Sequence, residues 1–510
     1  MNSKILIKTL IGLIVFGSFS CKKFLDQDPI STVTDATSWS SSSDVNSQIA
    51  GCYSGIRSAF NAACSFYSYG DVPTDLWGDM TANSDYNYIY QMNWGITVSS
   101  LNTYDPKLKL RVWTPFYSSI QQSNRCLYFI NTMSNDKFDG ATEADEIAQK
   151  KAFEAEARFC RAFNYFYMAR VWGNVPLDTS YQEDISSITS DPRVDQSQIL
   201  NAAIYDLNIA KANMDYRDAS STDKNVRADK GACFALLAHI YAWKGAYDSC
   251  VMACDSVISN GGYSLVSGSN YATIYNGQSD EGIFEIAQNS TSEALNAQTE
   301  ASIAYFTLAA PYIATNSVPI WKLSTGKLFE LYNDTTDARF KKEYTYVNSG
   351  STKYYYCTKY SNISTVTASG VNYYLSENNI IVFRLADIYL LRAEAYASKS
   401  TPDFSNALTD LNTIRTRAGI SNYTLAELST NGQNSLLDSV TAERGRELLL
   451  EGSRYYDLVR NERITGVSKF PYMTQAQFTA GKYYWPIDPS LMTLNSGLVQ
   501  TTFWQQLLTY

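Results

Sequence analysis

The stretch from Ala228 to Ile258 most constrains what this chain can fold into. Leu237, Ala238 and Tyr241 precede Gly245, and Tyr247, Cys250, Cys254 and Val257 follow it. Each set recurs at helical spacing, so apolar and small side chains line one face of each of two helices. Gly245 permits the tight turn between them, and the small residues allow close approach. A hairpin of this kind buries its apolar face only by stacking on neighbours. Cys250 and Cys254 are therefore expected as packing positions. The single histidine, His239, falls in the first helix beside the same face, which predicts a structural role.

Similar periodicity returns along the chain. A second hairpin runs from Leu385 through Ala393, Tyr396, Phe404, Ala407, Leu411 and Ile414. A third pairs Ile120–Asn131 with Lys151–Val171, and a fourth joins Ile199–Met214 to its neighbours. The spacings are those of tetratricopeptide-like repeats. Between them lie long stretches rich in Gly, Ser, Asn and Tyr, at 61–112, 261–330 and 345–380, with few convincing alternating strands. The expected fold class is all-α, with tetratricopeptide-like helical hairpins forming a scaffold that carries large irregular loop excursions. Function concentrates on such excursions.

The N-terminus reads as an address. Lys4 and Lys8 precede an apolar run from Leu10 to Phe16, too short to span a bilayer, and Ser18-Phe19-Ser20 leads to Cys21. This is a relaxed lipobox, with Ser18 where an aliphatic residue is usual. Residues 1–20 are expected as a lipoprotein signal peptide and 21–45 as a lipidated cysteine and its Ser/Thr/Asp-rich tether. Residues 46–260 then form an N-terminal helical region and 261–510 a C-terminal one. Acyl chains on Cys21 would anchor the protein without a spanning helix, at about 0.8 kcal/mol per buried methylene.

Composition narrows the function. A net charge of −9 argues against nucleic acid. The chain holds 39 Tyr and 9 Trp against 22 Phe, more phenol and indole than a dry core needs. Exposed rings of this kind suit carbohydrate, because a flat face covers the C–H face of a pyranose while the polar edge stays wet. The cysteines show neither CxxC pairs nor zinc-like spacing, so no metal site is expected, and sequence does not give their disulfide state.

Four stretches resemble the SusD/RagB family of Bacteroidetes. They are Trp113-Thr114-Pro115-Phe116-Tyr117 through Ile120 and Asn124; Glu156-Ala157-Arg158-Phe159-Cys160-Arg161-Ala162 with Tyr165 and Trp172-Gly173-Asn174-Val175-Pro176-Leu177; Arg384-Leu385-Ala386-Asp387-Ile388-Tyr389-Leu390 with Ala393-Glu394-Ala395; and Glu443-Arg444-Gly445-Arg446-Glu447-Leu448 with Glu451-Gly452-Ser453-Arg454-Tyr455-Tyr456-Asp457-Leu458-Val459-Arg460. A closing Tyr484-Trp485-Pro486-Ile487-Asp488-Pro489, with Asn495 and Gln500, is similar to the family's C-terminal signature. The usual Asn-Pro-Gly ending is absent, since Thr501-Thr502-Phe503 follows. The resemblance implies a helical fold of four tetratricopeptide-like pairs on the outer-membrane cell surface. It also implies a SusC-like TonB-dependent transporter as partner and oligosaccharides as ligands. The ligand platform it implies comes from two excursions. The first is Asp71 to Trp94, with Asp75, Trp77, Tyr86, Tyr88, Tyr90 and Trp94. The second is Tyr305 to Trp321, with Tyr312 between. Trp77, Trp94 and Trp321 are the leading candidates for stacking on sugar rings, with Asp75 hydrogen-bonding hydroxyls.

Catalysis finds little support. No GxSxG, P-loop, GxGxxG or HExxH is present, and one histidine inside a packing helix is a poor general base. Glu443, Glu447 and Glu451 share a helical face with arginines that would hold them ionised, so ion pairing is the better reading than glycosidase acid and base. No enzyme activity and no cofactor are expected; aspartate-rich loops leave Ca²⁺ open. The alternatives are a carboxylate-based helical glycoside hydrolase and a tetratricopeptide-type protein-interaction scaffold. If Cys21 carries the lipid, Cys21→Ser will move the protein from the membrane fraction to the soluble fraction and abolish palmitate labelling; labelling that survives the substitution would refute the assignment.

Overall fold

A computed structural model of the chain describes residues 38–81, 84–94, 105–181, 191–288, 293–429 and 433–505. Cys21 and the leader lie outside the described residues. The first helix, α1 (Ser42–Asn61), begins inside the stretch expected as tether. Ser41 caps it by accepting from the Asp44 amide, and Val45, Ile49, Cys52, Ile56 and Phe60 form its buried stripe.

Helices α2 (Thr114–Thr132), α3 (Glu143–Trp172), α4 (Gln196–Ala212), α5 (Lys230–Lys244) and α6 (Tyr247–Asn260) follow. After a long interval come α7 (Leu385–Ser398), α8 (Phe404–Ala418), α9 (Gln433–Glu447) and α10 (Arg454–Thr465). The pairs α1/α2, α3/α4, α5/α6 and α7/α8 stack in chain order, with α2 against α3, α4 against α5 and α6 against α7. The expected hairpins at 228–258 and 385–414 are α5/α6 and α7/α8. The segments 120–131 and 151–171 do touch, but α2 also packs on α1 across the excursion at 62–113, and α3 on α4. Helix α3 spans 30 residues, about 45 Å, opens with a Thr142/Asp145 capping box and is buried over most of Ala155–Trp172.

Gly245 ends α5 at φ +73, and a Cβ there would meet nothing within 4 Å. Its requirement is the left-handed backbone and not space. Cys250 and Cys254 are buried on α6, and all eight cysteines among the described residues are free and buried. No helix of the described residues is long and apolar enough to cross a membrane.

The stretch 345–380, expected as loop, is instead two antiparallel hairpins. Strand β3 (Tyr344–Ser349) pairs with β4 (Thr352–Cys357), and β5 (Ile363–Ala368) pairs with β6 (Val371–Ser376), whose other edge takes the short β2 (Leu295–Asn296). Each turn has two residues, and Ser369 and Gly370 both have positive φ, as a type I′ turn demands. Alternating Tyr, Thr and Val in these segments fits a pleated, half-buried surface. A further pair, β1 (Gly282–Ile286) with β7 (Ile380–Arg384), runs directly into α7.

Where β7, α7 and α9 converge, charges meet in the interior. Glu447 contacts Arg384 at 2.6 Å, Arg339 at 2.9 Å and Arg417. Glu443 contacts Arg446 at 2.6 Å, Arg339 at 2.7 Å and Arg415 at 3.1 Å. Glu451, just past the helix end, holds Arg384 and Lys359, each at 2.7 Å. Burial alone would raise the Glu443 carboxyl, but Arg446 and Arg339 pull it down to about 2. Ion pairing, as expected for this motif, is its role. His239 likewise is enclosed, 2.7 Å from Asp387 and stacked on Phe383.

A buried charge left without its partner costs about 3–5 kcal/mol. Glu447→Gln should therefore lower unfolding free energy by about that amount in a urea titration. Because the folded pKa of Glu443 lies below the unfolded value of about 4.5, its contribution is present above pH 4.5 and lost as pH falls toward 2. A Glu443→Gln variant should show a flatter decline in that window than the parent chain; parallel curves would show that the pair adds no linked stability.

Candidate functional site

The two excursions expected at the ligand site do meet. Trp77 and Leu323 form an isolated antiparallel bridge, flanked by Gly78 N donating to Lys322 O (2.9 Å) and Ser324 N donating to Leu76 O (2.8 Å). The first excursion is pinned from below. A Cβ on Gly70 would lie 2.1 Å from Gly452 O, so only glycine admits this approach. The Gly452 amide donates to Asp71 at 2.7 Å, and burial pushes the Asp71 carboxyl up to about 8. Asp75 reaches Arg454 at 2.8 Å and Lys327 at 2.9 Å. Burial would raise its carboxyl; Arg454 and Lys327 bring it down to about 2.

At the junction an aromatic cluster fills the interior. Trp321 stacks on Phe306 (4.3 Å) and meets Tyr86 at 5.0 Å and Trp77 edge-on at 5.6 Å. The Trp77 indole donates to Asp71 O at 2.8 Å. Trp94 belongs to another cluster, stacked on Trp485 at 4.2 Å with its indole donating to Ile89 O. Trp77, Trp94 and Trp321 are at most 3% exposed. They are therefore corrected from sugar-stacking rings to core residues, because both their faces and their edges are occupied by protein. Asp75 is corrected in the same way, since its oxygens serve two cations.

What faces solvent is a rim of tyrosines. Tyr88 is 37% exposed, with Lys107 4.9 Å from its ring centre. Tyr305 and Tyr312 are half-buried, the latter packed on a small cluster that includes Ile313 and Tyr356. Lys322 bridges Asp79 (3.4 Å) and the Tyr354 ring (5.4 Å). Tyr472, 42% exposed, stands edge-on to Tyr90 at 5.0 Å, and the Tyr90 hydroxyl donates to Trp77 O. Tyr354 and Tyr472 were not among the sequence candidates. The strand alternation of 352–357 was the available signal for Tyr354; Tyr472 is joined to the site by tertiary contact alone. Such a surface offers ring faces, hydroxyls and one bridged ion pair, the groups that recognise sugar C–H faces and hydroxyls. No group of three or more His, Cys, Asp or Glu among the described residues is placed to hold a metal.

Comparison with known proteins agrees with this architecture. Residues 321–504 match the family model described as SusD family, and residues 23–242 match one described as starch-binding associating with outer membrane. A SusD-like protein P38 of Formosa agariphila is 25% identical over 505 residues, covering 91% of this chain and 92% of that one. A SusD-like protein of Bacteroides ovatus is 26% identical, covering 90% and 82%. The crystal structure of a SusD homolog from Bacteroides thetaiotaomicron superposes with a TM-score of 0.77 at 27% identity, covering 91% of this chain and 98% of that one. Two matching family models, relatives aligned over most of their length and a shared fold place this chain in the SusD/RagB family.

Proposed function

We propose that the chain binds oligosaccharides at the cell surface, anchored in the outer membrane through Cys21, and passes them uncleaved to a SusC-like TonB-dependent transporter. The observation that carries this reading is the meeting of the two excursions over a buried aromatic floor, while Tyr88, Tyr305 and Tyr312 on the excursions and Tyr354 on the neighbouring hairpin keep ring surface open to solvent. A rigid floor lowers the ordering cost of binding, because the rim rings are held before the sugar arrives. Each solvent-competed ring contact contributes little, so affinity in the micromolar to millimolar range is expected. Weak binding suits delivery, since a carrier must also release.

The transporter contact falls on the tetratricopeptide-like side. Tyr205 on α4 and Met252 on α6 are 64% and 70% exposed, large apolar groups with no evident role within the chain. Apolar side chains of this size in the open favour a protein partner.

The chain from residue 22 onward, titrated against a polysaccharide panel with reducing ends followed in the same samples, should bind one glycan class and release no sugar. Tyr88→Ala or Tyr305→Ala should weaken that binding roughly tenfold at unchanged Tm. Trp321→Ala should instead destabilise the fold by about 3–5 kcal/mol. Release of reducing ends would overturn the non-catalytic reading. A Tyr205→Lys/Met252→Lys double variant should keep glycan affinity and lose co-purification with the transporter; retained co-purification would move the contact elsewhere.

A further inference from the structure

Three lysines among the described residues are buried, and one differs in kind. Lys107 lies 2.9 Å from Asp85 and 3.1 Å from Asp105. Lys359 lies 2.7 Å from Glu451 and 3.8 Å from Glu343. Lys482, 9% exposed, donates to the Tyr472 carbonyl at 2.9 Å and to Gln477 Oε1 at 3.4 Å, and makes no ion pair with a carboxylate among the described residues. Burying an ammonium without a counter-charge is costly, and such a cation is retained where something else supplies the charge. Burial also lowers the Lys482 pKa, with no acidic neighbour opposing it.

Lys482 is one of the residues that line a cavity of about 340 Å³. Gln91, Asn93 and Gln477, residues with amide side chains, line it together with the aromatic residues Tyr472 and Phe503. This volume accommodates a sugar residue, and the lining pairs ring faces with neutral donors and acceptors. The Tyr472–Tyr90–Trp77 chain of contacts joins it to the aromatic floor of the rim.

We propose that this cavity takes the oxyanion substituent, carboxylate or sulfate, of an acidic sugar, with Lys482 as its counter-charge. The proposal rests on the glycan-binding reading and specifies the chemical class of ligand. The amides hold ring hydroxyls, Tyr472 and Phe503 cover the ring, and the ammonium gains the ion pair that no carboxylate among the described residues supplies.

The test uses calorimetry on the chain from residue 22 onward with oligosaccharides matched in length. Oligogalacturonate is set against a neutral galactan, and a sulfated carrageenan oligosaccharide against neutral agarose. An acidic member should bind at least roughly tenfold tighter than its neutral partner, with affinity falling as salt rises. Which acidic member wins distinguishes carboxylate from sulfate. Lys482→Met, which keeps the packed stem, should erase the preference at unchanged Tm, and Lys482→Arg should restore it. Should Lys482→Met fail to fold, the Lys482→Arg chain and the salt dependence still decide the matter. Equal binding of acidic and neutral partners, or a preference that survives Lys482→Met, overturns this proposal alone. Failure to bind any saccharide overturns it together with the glycan-binding reading.

Discussion

Six cations and six carboxylates interlock beneath the point where β7 enters α7. Arg339, Lys359, Arg384, Arg415, Arg417 and Arg446 meet Glu281, Asp337, Glu343, Glu443, Glu447 and Glu451. Desolvating so many charges is favourable only if every one is paired and hydrogen-bonded, so the knot tolerates one arrangement of the elements that supply it. Those elements come from far apart in sequence: β1, β7, α8, α9 and the short helix Ala338–Glu343. The segment 448–452 leaves α9 and passes through the knot at Glu451, and its Gly452 amide then grips Asp71. The position of the first excursion is thus set by electrostatics several residues away.

Tyrosine supplies the second kind of fastening. Tyr69 donates to Leu110 O, Tyr86 to Ala63 O, Tyr90 to Trp77 O, Tyr332 to Arg446 O and Tyr360 to Leu450 O. In each case a ring fills apolar space while its hydroxyl donates to a main-chain carbonyl in a loop, a short turn or the last turn of a helix. A scaffold with long irregular insertions has many such carbonyls, and much of the chain's unusual tyrosine content is spent on them.

The helical scaffold was legible in the sequence because packing faces recur at a fixed period: Tyr241, Cys250, Cys254 and Val257 announce α5/α6 before any tertiary information. The charged motif was legible too, since glutamates one turn apart among arginines have few physical outcomes. The candidate site was half legible. The two excursions were identified and they do fuse, yet Trp77, Trp94 and Trp321 turned inward. Local sequence does not encode which side of a loop a ring takes; that is settled by packing partners, Phe306 from the same excursion stacked on Trp321 and Trp485 from far along the chain stacked on Trp94. The hairpins at 344–376 were missed because tyrosine and serine are as common in loops as on edge strands, and the pairing that distinguishes them is not local.

The eight thiols carry a different lesson. They are free and buried, and burial lifts the thiols of Cys64, Cys160 and Cys254 well above the ordinary value. Even Cys52 and Cys126, whose sulfurs approach to 3.7 Å, sit in packed helices α1 and α2. Thiolate is the species that enters exchange, and at Cys64, Cys160 and Cys254 burial suppresses it. Among the described residues the fold is closed by packing alone, with no covalent cross-link between its helices.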